Sequence, residues 1–552
     1  MEKTVWPRYF FIQKFQAPSA SRIGDTALLT SVILAGTVFP RLMLLGRTPV
    51  SDEGYYTYVA QQIYRSLANG EGIPDVGGLS FYPMLCSWVF SLQYNPLVTL
   101  RLIDLGMAVI MAFLWYKVLA RISNNNTGAA LITLVFTFTL NQIGFIDSGF
   151  KNSIVAAFVP LLLALYVGLG AIQNKESSSA WWVAGALTAI AVVLRETFVP
   201  FAALGLVSVF IAQGKGAAFR FFMGGVATGI LLIGGILVAR GGMAEIIAVY
   251  RMTGILVGSA SIDSRLENFV FYGLAAIRFS SIVVILSALS VMALLGILRR
   301  DRCLAMVFWF SFIGVALFEP ITKMCYPYHF TLAFPGLSGL CALALREVIQ
   351  IRPAMKFGRM TRIIVLTCIA LSATGFYFSS SRWAMTHWYM TLETLLAAPG
   401  GEWPEKFVNR SEYLFIAAEI KKVIPENGTL SISKNMHALY PLTGYFPPKY
   451  PLNDLSAAAN LLRFSVPAIR RELLGCAPDV LVVTTMNDDP LLEAVRATGI
   501  YETATKIPFD RRGVDSRRNA PFDGLIIFRK TQETDCLEKK EGMADWLTRI
   551  SA

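Results

Sequence analysis

Along the first 380 positions, apolar residues neither alternate nor follow a single helical stripe. They come in solid blocks separated by short polar breaks. Blocks of about 20 residues predict membrane-spanning helices, because about 30 Å of hydrocarbon needs that many residues at about 1.5 Å each. The pattern predicts eleven spans, over residues 24–45, 98–120, 127–145, 152–172, 180–194, 197–213, 218–239, 279–298, 303–319, 327–346 and 362–380. The fifth and sixth are short and are parted only around Arg195-Glu196-Thr197. Beyond residue 380 the blocks stop and mixed periodicities take over. Tyr413–Val423 reads as an amphipathic helix and Leu491–Thr498 as another, while Thr429–Ser433, Asp479–Thr484 and Gly524–Phe528 read as strands. Strands alternating with helices predict a small α/β domain.

The polar breaks carry the orientation. Starting from a cytoplasmic N-terminus, the inward loops hold Lys117 and Arg121, Lys175, Lys215 and Arg220, Arg299 to Arg302, and Arg346 to Arg362. Basic residues collect in cytoplasmic loops, so this register is the expected one. An odd number of spans then puts the tail outside. Lys3, Arg8, Lys14 and Arg22 precede a block longer than a signal-peptide core with no small-residue cleavage site after it, which predicts an uncleaved first span. The resulting division is a membrane domain over 1–380, with long outside loops at 46–97 and 240–278, and an outside domain over 381–552.

Composition agrees. Of 552 residues, 55% are hydrophobic and only 16% charged, against about a quarter charged in soluble domains. Such a chain cannot cover its own surface in water. The net charge of +12 would suggest nucleic acid in a soluble protein; here basic topology loops account for it, and no nucleic-acid partner is expected. Seven cysteines are too few for a disulfide scaffold, although Cys476 and Cys536 both fall in the tail and are candidates for one bridge. His329, His387 and His437 show no metal-binding spacing, and no glycine-rich phosphate loop is present.

Candidate chemistry sits at the outside breaks. Asp52-Glu53 follows the first span, where a carboxylate meets both headgroups and hydrocarbon. The next segment, Gly54–Ala68, has helical apolar spacing and is expected to lie along the interface, so Asp52 equally fits a helix cap with Glu53 complementing the dipole. Asp147, in the turn after the third span, falls on the same face, and it too has a capping alternative. Arg195 offers a fork of donors to a phosphate, or an ion pair with Glu196. Lys151 and Lys323 flank other outside turns and suit either phosphate contact or snorkelling. Tyr326, Tyr328 and His329 open the tenth span as sugar or phosphate donors, or as an aromatic belt.

Taken in order, these places resemble one family. Asp52-Glu53 with an aromatic, a helix ending Ala68-Asn69-Gly70, then Phe81-Tyr82-Pro83-Met84, is similar to the first outer loop of lipid-linked-sugar glycosyltransferases of the GT-C fold. That superfamily includes the protein O-mannosyltransferases and the lipid A aminoarabinose transferases. The Asp147 turn, the basic Arg195 break, the Tyr326 to Pro335 stretch and the phrase His437-Ala438-Leu439-Tyr440-Pro441-Leu442-Thr443-Gly444 extend the resemblance over most of the chain. Relatives like the lipid A enzyme carry a Lys before the Pro where this chain has Tyr82, so their acceptor is not carried over.

The resemblance implies a polytopic, GT-C-like α-helical membrane protein with an extracytoplasmic C-terminal α/β domain. It would sit in a bacterial inner membrane and work at the periplasmic face. It would move a sugar from a polyprenyl-phosphate donor to a hydroxyl of a lipid, polysaccharide or protein acceptor, with inversion. Asp52 would be the base, Glu53 and Asp147 would orient substrate, and Arg195, Lys151 and Lys323 would hold the donor phosphate. Tyr55, Tyr82, Tyr326, Tyr328 and His329 would line the substrate. No certain cofactor is implied, with room left for a divalent cation. The alternatives are a lipid-linked glycan flippase, or a polymerase or ligase using a polyprenyl diphosphate donor.

Overall fold

A computed structural model describes residues 22–42, 51–70, 81–143, 154–174, 178–240, 334–351, 412–432, 439–447, 465–484, 490–508 and 524–532, with a few isolated positions including Leu45. The predicted spans at 279–298, 303–319 and 362–380 lie outside the described residues, as does nearly all of the loop 240–278.

The apolar blocks that are described form helices. The first is α1 (Arg22–Ile33), continued through a π-helical turn at Leu34–Val38 into α2 (Phe39–Leu42). The stretch between the first two apolar blocks supplies α3 (Ser51–Ala68) and α4 (Phe81–Cys86). Then come α5 (Pro96–Ser123), α6 (Asn126–Ile143), α7 (Ile154–Asn174), α8 (Ser178–Leu194), α9 (Val199–Gln213), α10 (Lys215–Arg240) and α11 (Phe334–Ile351). Among the described residues, Pro96–Ser123, Ile154–Ile172, Glu196–Gln213 and Lys215–Ala239 are long and apolar enough to cross a membrane. The boundaries follow local chemistry. Asn95 caps α5 by accepting from the Val98 N–H at 3.2 Å, Pro96 takes the first turn, and Asn124 ends the helix with φ of 53°.

Helix α5 packs against α1, α6, α7 and α11. Its Trp115 is fully buried, 6.0 Å from both Phe136 and Phe158, and its indole N–H donates to Ser338 on α11 at 2.8 Å. The α8–α10 contact buries Trp181 and Phe221 and is brought close by missing side chains. A Cβ on Gly185 would fall 1.9 Å from the Phe221 carbonyl oxygen, and one on Gly224 2.2 Å from that of Trp182. Two backbones touch, the small-residue packing that membrane helices use where no hydrophobic force draws them together.

The tail folds around a four-stranded sheet. Its elements are α12 (Glu412–Val423), β1 (Leu430–Ile432), α13 (Leu439–Thr443), α14 (Val466–Gly475), β2 (Val480–Thr484), α15 (Pro490–Thr498), β3 (Tyr501–Pro508) and β4 (Gly524–Lys530). Strand order is β1-β2-β4-β3, with β1 parallel to β2 and the other pairs antiparallel. Every strand and helix expected in the tail is present within a residue or two. Strand β3 was not expected: it is an edge strand whose exposed Glu502, Thr503 and Lys506 hide the period of two, and its pairing slips between Thr503 and Thr505. Cys476 is disulfide-bonded, and among the described residues Cys86 and Cys341 are free thiols.

The two halves share a core. Tyr58, Val59 and Ile63 on one face of α3 are buried with Tyr413, Ile416, Ile420, Tyr440 and the sheet residues Val480 and Val482. Tyr58 lies 4.7 Å from the Tyr440 ring and 5.7 Å from Phe446, and Arg65 sits over Phe446 at 3.9 Å. The apolar stripe predicted to lie along the membrane interface is thus covered by the tail. The His437–Gly444 phrase supplies that cover through α13.

Candidate active site

The charged residues meet at the end of the bundle where α2, α3 and the start of α5 come together. Helix α3 begins at Ser51, so Asp52 and Glu53 occupy its first turn, rather than Asp52 preceding it as a cap. Carboxylates there complement the free N–H groups of the helix.

Glu53 is buried, at 2% exposure, and its carboxylate is gripped by Arg101 of α5. The guanidinium donates from Nε to Oε1 at 2.8 Å and from Nη2 to Oε2 at 2.8 Å, a bidentate fork, and its Nη1 reaches the Leu45 carbonyl oxygen at 2.5 Å. One turn further along α5, Asp104 accepts from Arg41 of α2. Arg101 and Asp104 are 5% and 3% exposed. Charges this deep are retained only when paired and hydrogen-bonded, and here both are.

Helix α4 closes over this end. Tyr82 and Cys86 are buried with Ala60 of α3, Leu100 of α5 and Ala156 of α7. Burial pushes the Tyr82 phenol far above its ordinary value, and the nearby Asp104 charge adds to the shift. Burial likewise pushes the Cys86 thiol up to about 12, with Asp104 adding and the Tyr82 contact opposing. Both groups are neutral near pH 7, so Tyr82 offers hydrogen-bonding capacity rather than charge. Tyr55 is half-buried, edge-on to Tyr56 at 5.4 Å, on the side of α3 that meets the tail.

Arg195 reaches the same end. Leu194, the last residue of α8, packs against the Tyr82 cluster. Arg195 itself is extended, with φ of −153° and ψ of 114°, breaking α8 from a tight turn at Glu196–Phe198 that leads into α9. Its Nε donates to Thr197 Oγ1 at 2.8 Å and the residue is 3% exposed. The break predicted from sequence is therefore one extended residue followed by a tight turn. A cation is held in it at the head of two apolar helices.

The structure thus brings Glu53, Tyr55, Tyr82 and Arg195 to one end of the bundle. Asp52 contributes its backbone position in the first turn of α3. Asp147, Lys151, Lys323, Tyr326, Tyr328 and His329 lie outside the described residues. Arg41, Arg101 and Asp104 were not among the expected site residues. Their signal was available: Arg101 and Asp104 are ionisable residues three apart inside an otherwise apolar block, which points to a buried polar task. Among the described residues no group of three His, Cys, Asp or Glu side chains forms a cation site, and Glu53 and Asp104 both face guanidinium groups.

No family model matches the sequence, and no curated protein matches it. Solved structures do match in fold. The chain is similar to ArnT from Cupriavidus metallidurans bound to undecaprenyl phosphate, at 14% identity and a TM-score of 0.52, over 92% of this chain and 98% of that one. It is also similar to the oligosaccharyltransferase of Archaeoglobus fulgidus in its apo form, at 11% identity and a TM-score of 0.52, over 84% of this chain and 70% of that one. The archaeal oligosaccharyltransferase AglB in complex with an inhibitory peptide and a dolichol-phosphate gives the same identity and score. The chain has the fold of these GT-C proteins, as the ordered sequence motifs implied.

Proposed function

We propose that this protein is a membrane glycosyltransferase that moves a sugar from a polyprenyl-phosphate donor to an acceptor hydroxyl at the outer face of a bacterial inner membrane. One observation carries the reading. An acidic first turn, a buried arginine break and a tyrosine-bearing loop helix converge at one end of a fold shared, over 92% of the chain, with a protein crystallised on undecaprenyl phosphate. The disulfide at Cys476 supports an oxidising compartment for the tail, in keeping with the count of basic loops.

The chemistry needs little from the protein. A phosphate on the anomeric carbon is already a leaving group, so the acceptor oxygen forms its bond to that carbon as the carbon–phosphate oxygen bond breaks. The electron pair leaves with polyprenyl phosphate, the acceptor proton passes to Asp52, and the anomeric centre inverts. A base placed this way contributes about 10²–10⁴-fold. Arg195 would stabilise the departing phosphate, with Lys151 and Lys323 as further cations. Asp147 and the tyrosines Tyr55, Tyr82, Tyr326 and Tyr328, with His329, would orient donor and acceptor. Glu53, held by Arg101, would act by anchoring the turn that carries Asp52.

Purified protein in detergent, supplied with a bacterial cell-envelope extract as acceptor, should release polyprenyl phosphate from a polyprenyl-phosphate sugar with no transmembrane gradient. A requirement for sealed vesicles and a gradient would support the flippase reading instead, and turnover only of a diphosphate donor the polymerase reading. Alkaline phosphatase fused after Trp403 should be active and fused after Arg300 inactive; the reverse would place the acidic turn on the wrong face.

A further inference from the structure

The chain leaving the first span is attached to one face of α5 at three points. Arg41 meets Asp104, the Leu45 carbonyl accepts from Arg101, and Glu53 meets the same Arg101 guanidinium. Arg101 and Asp104 are three residues apart, so a single turn of a long membrane helix holds residues 41, 45 and 53. Asp52 is covalently next to the last of these.

Stability alone is a poor reason for this arrangement. A buried ion pair is often matched by apolar residues of similar volume, because removing both charges from water offsets most of their attraction. What an apolar pair cannot do is fix direction. A guanidinium is planar and presents its donors in a rigid fork, so engaging two carboxylate oxygens and a carbonyl at once sets the orientation of all three groups.

We propose that Arg101 is a positioning residue for the transfer reaction: by gripping the Leu45 carbonyl and the Glu53 carboxylate together, it fixes the first turn of α3 and so the reach of Asp52 toward the acceptor. The inference rests on the reading of Asp52 as base. Asp104 and Arg41 form the second tie, one turn deeper. A misplacement of about 1 Å in a catalytic group costs about 10²-fold, so a loosened turn acts on the chemical step rather than on donor binding.

The test uses the full-length protein, a bacterial cell-envelope extract as the source of acceptor hydroxyls, and the release of undecaprenyl phosphate from whichever of a panel of undecaprenyl-phosphate hexoses and pentoses the wild type turns over. The double variant Glu53→Met/Arg101→Met removes both charges and should keep its melting temperature. Its kcat should fall at least about 10-fold while the donor KM stays within about 3-fold. A folded double variant with wild-type kcat overturns the proposal, since a merely structural pair predicts that outcome. Should the double variant fail to fold, Arg101→Lys decides: it keeps the charge beside Glu53 but gives up the fork, and wild-type kcat in it is equally fatal. Asp52→Asn on the same substrate separates the two levels. A slow Asp52→Asn beside fast Arg101 variants sinks the positioning role alone, whereas a fast Asp52→Asn ends the base reading and the positioning role with it.

Discussion

Two helix contacts in this protein are built from opposite materials. Between α8 and α10 the contact is apolar: Gly185 and Gly224 let backbone meet backbone beside the buried Trp181 and Phe221. Where the chain from α2 to α3 meets α5 the contact depends on directional side chains, two buried guanidinium–carboxylate pairs and a carbonyl. Each suits its place. In hydrocarbon, close approach gives many weak contacts and tolerates small rotations. At the mouth of the bundle, directional donors specify where a loop starts, at little net gain in stability. The first contact holds the scaffold together, and the second sets the geometry of the acidic turn.

The largest expected effect comes from unbalancing the polar contact. Glu53→Gln leaves the Arg101 cation buried beside a neutral amide and should cost about 3–5 kcal/mol, read as a lower melting temperature in detergent. A loss below about 1 kcal/mol would mean that water already reaches the pair. On the opposite face of α3, Tyr58→Ala empties the space between Tyr440 and Phe446 and should cost about 3 kcal/mol. If the tail did not share a core with α3, that change would be near neutral.

Gly224→Leu attacks the apolar contact. Its Cβ alone would stand 2.2 Å from the Trp182 carbonyl oxygen, so α8 and α10 must part, at about 1–3 kcal/mol. An unchanged melting temperature would show that the two helices do not touch.

The smallest effect is electrostatic. Burial alone would raise the Asp479 pKa, but the bonds it accepts from Lys530 and from the Thr429 N–H and hydroxyl outweigh that and hold it below the usual carboxylate range. A lowered folded value means stability that is present above the ordinary value near pH 4 and lost as pH falls through the folded one. The melting-temperature gap between wild type and Asp479→Asn should therefore be small at pH 7 and close below about pH 4. A gap that widens in acid would reverse the sign.

The same contrast explains what could be read from sequence. Apolar blocks were legible because the length needed to cross hydrocarbon is a hard constraint, and α5, α7, α9 and α10 stand where their blocks predict. Strands β2 and β4 were legible as buried runs, while β3 was not, because an edge strand carries polar residues on both sides. The acidic turn, Tyr82 and the Arg195 break were visible as polar residues at apolar boundaries. The partners of Glu53 were not, because an ion pair spanning 48 residues is a tertiary fact and Arg101 read as part of a span. The docking of α3 on the tail was hidden for the same reason: its stripe announces an apolar surface without saying what will cover it.

The central claim is that the Asp52 carboxylate takes the acceptor's proton. Asp52→Asn is isosteric, and loss of charge in the first turn of α3 costs a helix-dipole interaction of about 0.3–1 kcal/mol, so folding should hold. Turnover of a defined polyprenyl-phosphate sugar should fall about 10²-fold or more, because a neutral amide cannot accept that proton. Wild-type turnover by a folded Asp52→Asn protein would contradict the account.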